Sequence, residues 1–476
     1  MYNRPHIPSI HILDNDSLLR IFFFSRLVLF AEDEVNYLFD LHREECVHGR
    51  WWYKLIHVCR RWRYLVFASA SHLRLCLICT YGTPVADMLA YSPPLPLIVD
   101  YRTREFAAED EEGIILALQH RDRVRHINLH IPIPNLQMVL LKMDDEFPML
   151  EYLYIWPMIK HNMGLVLPKT FQAPHLRHLL LLNFAIPIRC PLLTTAVGLV
   201  TLSLEWIHSS TYFCPNDLLK RLSLMPQLEV LGIGFHSPVP NREVEMQLLD
   251  TPTMTHITLP NLRWFAFTGV SACLEALLPR MTTPFLEKLE IIFFNRLTFS
   301  FTHLLQFIST RENLRFHSTN FLFTPQALTM QVYPNHGAKT YTLGMKVLCA
   351  HLDWQVASAA QIYHALRTAF SAVERITLWY ESGFTPLEDR ENAADRTHWR
   401  ELLRSFGNVK TLYVADDDLV MPVSHCLRPD DEESPMELLP ELKELEYFAS
   451  SNAGEEFTSF IDAREKAGHP VTLTYL

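Results

Sequence analysis

Several groupings in this 476-residue chain have the residue types that bind metals or move protons, and spacing decides what each could do. His126-x-Asn128-x-His130 offers two imidazoles to one ion. On a strand, at roughly 3.3 Å per residue, the two side chains start about 13 Å apart. That is too far for one ion held by both at about 2 Å. His175-x-x-His178 crosses a strand entry, where the two rings are expected to face opposite ways. Cys76-x-x-Cys79 is the one close cysteine pair, and no second pair at zinc spacing accompanies it, so no zinc cross-brace is expected. The nine cysteines are scattered and odd in number, as in a chain of reduced, mostly buried thiols. There is no Gly-x-Ser-x-Gly elbow, no phosphate-binding Gly-rich loop and no His-Glu-x-x-His. The expectation is a non-enzyme without metal or cofactor. The acidic runs at 109–112, 416–418 and 430–433 read as solvated loops, the last with a second reading as a charge filter for partners.

The elements that would position any binding residues announce themselves by repetition. Leu150-Glu-Tyr-Leu153-Tyr-Ile155 returns as Leu176-Arg-His-Leu179-Leu-Leu181 and Leu199-Val-Thr-Leu202-Ser-Leu204. Further copies are Leu228-Glu-Val-Leu231-Gly-Ile233, Leu262-Arg-Trp-Phe265-Ala-Phe267 and Leu286-Glu-Lys-Leu289-Glu-Ile291. Late copies begin at Val373, Val409 and Leu442, and Val124-Arg-His-Ile127-Asn-Leu129 is the first. In each, apolar residues two apart share one face of a strand, and the residues between them share the other. Starts at 124, 150, 176, 199, 228, 262 and 286 are 26, 26, 23, 29, 34 and 24 residues apart. Leucine-rich repeats of roughly 20–29 residues, each a strand with a helical or irregular return, have this spacing. Between 291 and 373 no clean copy is visible. Tyr341-Thr-Leu343-Gly-Met345-Lys-Val347 reads as a degenerate strand, with one or two repeats hidden nearby.

Composition narrows the partners. Hydrophobic residues make up 49% of the chain, enough for a large core, and 30 Pro against 14 Gly suits many short strand entries. The formal charge of −11 disfavours nucleic acid, which selects basic surfaces. No charged start followed by an apolar run marks a leader, and Arg20 and Arg26 interrupt the apolar cluster at 21–24 before it reaches membrane-spanning length. The expectation is a protein inside the cell, in cytoplasm, nucleus or both, without membrane contact.

Residues 1–78 follow a helical period. Asp14, Asn15 or Asp16 could cap a helix carrying Leu18, Leu19, Ile21, Phe22 and Phe23. After a charged, His-rich segment at 31–49, a second stripe runs from Arg50 through Trp51, Leu55, Val58 or Cys59, Trp62, and Leu65 or Val66. That is the i, i+3/i+4, i+7 pattern of an amphipathic helix.

These two blocks carry a resemblance. Ile12-Leu-Asp-Asn-Asp-Ser-Leu-Leu-Arg-Ile-Phe and Leu55-Ile-His-Val-Cys-Arg-Arg-Trp-Arg-Tyr-Leu look like the two halves of an F-box. The continuation Leu73-Arg-Leu-Cys-Leu-Ile-Cys-Thr-Tyr-Gly-Thr-Pro, then Pro93-Pro-Leu-Pro-Leu-Ile-Val, is similar to F-box proteins of mushroom-forming (basidiomycete) fungi, which continue into irregular leucine-rich repeats. Two departures stand out: Asp14 replaces the family's Pro, and roughly 25 residues separate the blocks. The implied fold is α/β. A three-helix F-box-like module (1–78, inserted loop about 28–50) precedes a Pro-rich connection and start of the solenoid (79–122). An irregular leucine-rich-repeat solenoid (123–476) follows, with parallel strands on its concave face and helices or loops on its convex face. The implied function is that of a substrate receptor in an SCF-type cullin–RING ubiquitin ligase. By motif position, Leu13, Leu18, Leu19, Ile21, Phe22, Val58, Cys59, Trp62 and Leu65 would face a Skp-type adaptor; alternatively, several of them hold the helices together. The other reading is a leucine-rich-repeat scaffold no longer coupled to a ligase, which the two departures favour.

A target protein would lie on the strand positions between the buried leucines. These include His126, Asn128, His130; Tyr152, Tyr154, Trp156; His178, Leu180, Leu182; Thr201, Ser203, Glu205; Trp264, Ala266, Thr268; Lys288, Glu290, Ile292; Arg375, Thr377, Trp379; and Thr411, Tyr413, Ala415. Tyr, Trp and Arg dominate binding hot spots. Tyr154, Trp156, Trp264, Arg375 and Trp379 are therefore the expected target-binding residues, unless these bulky side chains pack against one another instead.

Overall fold

Asp14 starts the first helix. In a computed structural model describing residues 13–28, 51–102, 106–158, 164–236, 255–294, 302–311, 313–335, 337–381, 396–428, 434, 436–448 and 455–475, its carboxylate accepts the Ser17 N–H at 2.6 Å. That bond satisfies one of the donors a helix start leaves open. Helix α1 then runs Asn15–Val28. The segment expected as an insertion lies, from residue 29 to 50, outside the described residues, as does the acidic run at 430–433.

The second stripe is not one helix. Helix α2 (Tyr53–Ile56) and helix α3 (Arg60–Ala68) are separated by an extended Cys59 at φ −161°, ψ 170°. Its sulfur accepts the Trp62 N–H at 3.5 Å and so caps α3. The break changes which face turns inward. Trp52, not Trp51, fills the core, 1% exposed, and its Nε1–H donates to the Cys76 carbonyl at 3.3 Å.

The chain divides into two compact units, the first comprising 1–183 with 189–198 and the second 184–188 with 199–476. After its helices the first unit runs β1 (Leu77–Cys79), α4 (Val85–Tyr91), β2 (Leu97–Arg102), α5 (Ala108–Leu118), β3 (Val124–His130), α6 (Ile133–Leu140), β4 (Tyr152–Ile155), β5 (His178–Leu182) and α7 (Pro191–Thr195). Strands β1 to β5 pair parallel in sequence order. Parallel neighbours need a crossover, and α4, α5 and α6 supply three of them. Two strands, β1 and β2, thus precede the first copy of the repeated phrase.

The second unit runs β6 (Thr201–Ile207), α8 (Pro215–Leu222), β7 (Val230–Phe235), β8 (Ile257–Thr258), β9 (Trp264–Gly269), α9 (Ser271–Leu277), β10 (Met281–Thr282), β11 (Lys288–Phe294) and α10 (Thr302–Ser309). It continues with β12 (Ser318–Thr324), β13 (Ala327–Tyr333), β14 (Leu343–Leu348), α11 (Leu352–Leu366), β15 (Arg375–Tyr380), α12 (Arg396–Arg404), β16 (Thr411–Val414), α13 (Asp417–Leu427), β17 (Glu444–Tyr447), α14 (Glu455–Lys466) and β18 (Thr472–Tyr475). Its sheet has the order β6-β7-β9-β11-β14-β13-β12-β15-β16-β17-β18, with β8 and β10 as a separate pair. All neighbours in the large sheet are parallel except those of β13, which is antiparallel to both β12 and β14. A two-residue turn joins β12 to β13, with the Thr324 hydroxyl accepting from Gln326 N and Ala327 N at 3.4 and 3.1 Å. This hairpin, with β14, fills the interval from 291 to 373 where the phrase disappears. The segment at 343–348 is a strand, as its alternation indicated.

The repeated phrase is the core. Its first positions, from Val124 to Leu442, are all 2% exposed or less. The two strand positions that follow, such as Ile127 and Leu129, or Leu231 and Ile233, are 1% exposed or less in every copy, save Tyr447 at 7% in the last. Each such side chain removed from water contributes about 1.5–3 kcal/mol. Successive helices also pack on one another, α4 on α5 on α6 in the first unit and α8 through α14 in turn in the second.

Candidate protein-interaction surfaces

Helices α1 and α3 divide the motif residues into inner and outer sets. Leu18 and Phe22 are fully buried and Leu65 nearly so, with Phe22 packed edge-on against Trp62 at 4.8 Å between ring centroids. Arg61 joins the helices from the side, its guanidinium donating to Asn15 Oδ1 at 2.9 and 3.1 Å and to the Leu13 carbonyl at 2.6 Å. Leu13, Leu19, Cys59 and Trp62 are half-buried. Ile21 and Val58 are exposed, at 43% and 56%. Among the nine expected residues, Leu18, Phe22 and Leu65 hold the helices together, while Ile21 and Val58 present apolar surface to solvent.

In the first unit, the strand face opposite the buried leucines carries a ring cluster. His126 stacks on Tyr152 at 5.0 Å, and Tyr152 on His178 at 4.6 Å with ring planes 4° apart. The register that puts these residues side by side across β3, β4 and β5 produces the stack directly. Tyr154 meets His126 edge-on at 5.9 Å. Trp156, just past β4, meets His130 at 4.9 Å, and His130 Nδ1 lies 3.1 Å from the Trp156 carbonyl. Tyr154 and Trp156 are both half-buried, and each is engaged with a histidine, Tyr154 with His126 and Trp156 with His130.

The three candidates of the second unit are apart from one another. Arg375 on β15 pairs with Glu446 on β17 at 2.6 Å. Trp379, on the same strand and 45% exposed, meets Tyr413 edge-on at 6.2 Å. Trp264 is on β9, five places away in strand order, or about 24 Å at roughly 4.8 Å per strand.

Around Trp264 the structure builds a constellation that residue type alone passed over. Trp264 Nε1–H donates to Glu290 Oε2 at 3.1 Å, and Lys288 Nζ sits 3.1 Å from Glu290 Oε1. The ammonium is 3.9 Å from the Trp264 ring centroid and 4.4 Å from that of Tyr341, whose hydroxyl also donates to Glu290. Glu205 comes in from β6. The β6–β7 register shifts between Leu204 and Ile207, and Trp206 has a left-handed φ of 54°. Such bulges re-aim a neighbouring side chain. Opposite, β7 presents Gly232 and Gly234. A Cβ at Gly232 would meet Ser203 Oγ at 2.8 Å and Glu205 Oε1 at 3.1 Å, and one at Gly234 would overlap Glu205 Oε2. The carboxyl group thus lies directly over bare backbone. Burial, with a smaller contribution from Glu290, pushes Glu205 up to about 7, against a lesser opposing effect of its 3.2 Å bond from the Ser203 hydroxyl.

Among the described residues, no group of three or more His, Cys, Asp or Glu could hold a metal ion, and no helix is long and apolar enough to cross a membrane. Comparison of the chain with protein-family models and with curated proteins finds no match.

Proposed function

We propose that the chain is a non-catalytic substrate receptor of an SCF-type cullin–RING ubiquitin ligase, working in the cytoplasm or nucleus. A Skp-type adaptor docks on α1 and on the segment from Val58 into α3, and a target protein lies on the second face of the sheets. The observation that carries this reading is the exposure of Ile21 and Val58 at F-box motif positions while Leu18, Phe22 and Leu65 pack inward. Exposed apolar side chains beside a formed core are the kind of surface that a protein partner can bury. The recurring strand-and-return order, with helices packed in series, supports an irregular leucine-rich-repeat solenoid, an architecture whose inner strands hold protein ligands. The receptor contributes proximity and orientation of the target's lysine; the chemistry belongs to the assembled ligase.

The test is co-purification with a Skp-type adaptor, comparing the native chain with an Ile21→Asp, Val58→Asp double variant. Both positions are exposed, so the variant is expected to keep its circular dichroism spectrum. Trp62→Ala would be a poorer choice because Trp62 packs on Phe22. The native chain is expected to bind and the variant to lose at least about tenfold in affinity, or 1.4 kcal/mol. A well-folded native chain that ignores the adaptor would remove the ligase reading and leave a protein-binding scaffold.

A further inference from the structure

Late in the second unit's sheet, two large aromatic side chains stand exposed on either side of a small one. Strands β15, β16 and β17 each carry the ladder one residue past their ends. Glu381, Ala415 and Phe448 donate their N–H groups to the carbonyls of Phe323, Leu378 and Val414, each at 2.9 Å. Register therefore sets Trp379, Ala415 and Phe448 side by side on one face. Trp379 and Phe448 are 45% and 50% exposed, and Ala415 between them is buried. Two strand spacings separate the aromatic residues by roughly 10 Å. A flat group touching both rings at roughly 3.5–4.0 Å needs about 7–8 Å, so it has room over the Ala415 methyl. On the N-terminal side of this slot are Tyr413, edge-on to Trp379 at 6.2 Å, and the Arg375–Glu446 ion pair.

The surroundings of the slot favour a cation. Past it the charged residues are acidic: Glu381, exposed and two residues after Trp379 on the same face, and Asp416, Asp417 and Asp418 at the entry to α13. Among the described residues no basic side chain lies over Trp379 or Phe448, and none pairs with Glu381. Elsewhere the same sheet completes such a group from its own residues. The Lys288 ammonium is 3.9 and 4.4 Å from the Trp264 and Tyr341 ring centroids and 3.1 Å from the Glu290 carboxylate. We infer that Trp379 and Phe448, with Glu381 at the open end, receive one arginine side chain from a partner protein. A planar guanidinium stacks on aromatic faces and turns a fork of donors toward a carboxylate, which a compact ammonium cannot match. On the reading of this face as the target-binding surface, the arginine belongs to the target.

The test uses the full chain labelled with fluorotryptophan, the Trp379 ¹⁹F resonance being assigned by its loss in Trp379→Phe. The probes are acetyl-Gly-Arg-Gly-amide and the same peptide with lysine, citrulline or norleucine in place of arginine. The arginine peptide is expected to shift the Trp379 resonance saturably, in the millimolar range, and to leave that of Trp264 in place. Citrulline keeps the shape without the charge and should bind at least about tenfold more weakly. Lysine and norleucine should also be weaker. Phe448→Ala and Glu381→Gln, both at exposed positions and checked by circular dichroism, should each weaken the arginine peptide at least about fivefold. An unmoved Trp379 resonance, any of the three other peptides binding as tightly, or undiminished binding by both variants would overturn the proposal. Adaptor co-purification is read separately. A chain that binds the adaptor but not the arginine peptide loses this site alone, and one that binds the peptide but not the adaptor loses only the ligase reading.

Discussion

Replacing Glu205 with Gln should make the protein more stable at high pH and change little at low pH. The Glu205 carboxyl is raised from the ordinary 4.5 to about 7, chiefly by burial. A raised folded value means that the proton binds more tightly in the folded state. Its stabilising contribution is complete below about pH 4.5, declines as pH rises, and is gone above about pH 7. At about 1.4 kcal/mol per pH unit, the full span is about 3 kcal/mol. The side chain keeps some exposure, so water screens part of this cost and about 2 kcal/mol is the expected measured change. Glutamine keeps the shape, still accepts from Ser203 and carries no charge. Urea unfolding at pH 5, 6, 7 and 8, followed by tryptophan fluorescence, compares the two proteins. The variant should match wild type near pH 5 and exceed it by about 2 kcal/mol at pH 8. Curves that stay parallel across this range would show that Glu205 is solvated, and would remove the reasoning built on its burial.

Three further outcomes follow from the core. Leu231, 1% exposed on β7, should cost about 3 kcal/mol when cut to Ala, measured by the same unfolding; a loss under 1 kcal/mol would contradict its place. Arg464 is fully buried and donates to the carbonyls of Leu439, Pro440 and Leu442 at 3.4, 3.1 and 3.1 Å. Arg464→Leu should therefore cost about 3 kcal/mol and speed amide exchange in β17 and β18 first; an unchanged exchange pattern would refute the clamp. Burial pushes the Cys426 thiol up to about 12, with Arg400, Arg396 and Arg404 pulling weakly the other way. At pH 8 it should resist thiol reagents until the protein unfolds, checked by mass spectrometry of the labelled peptides.

The strands were legible because burial on one face writes itself as an apolar period of two. From Leu153 and Ile155 to Leu445 the phrase marks residues that the structure closes off almost completely. Strand direction leaves no such mark. Strand β13 alternates buried and half-buried residues as its neighbours do, and only the two-residue turn after Thr324 shows that it runs backwards. The break at Cys59 was hidden for a similar reason. Helix α3 resumes the stripe so nearly in phase that Trp62 and Leu65 still read as continuing from Leu55, while Trp51 and Trp52 exchange roles.

The strand face opposite the leucines was legible as a set of positions but not as a set of contacts, because residue type measures what a side chain offers and not what has already claimed it. Trp264 and Arg375 score well as hot-spot residues, yet one indole is bonded to Glu290 and the guanidinium to Glu446. Glu205 scores poorly, yet a bulge carries its carboxyl over two glycines that offer no side chain to notice.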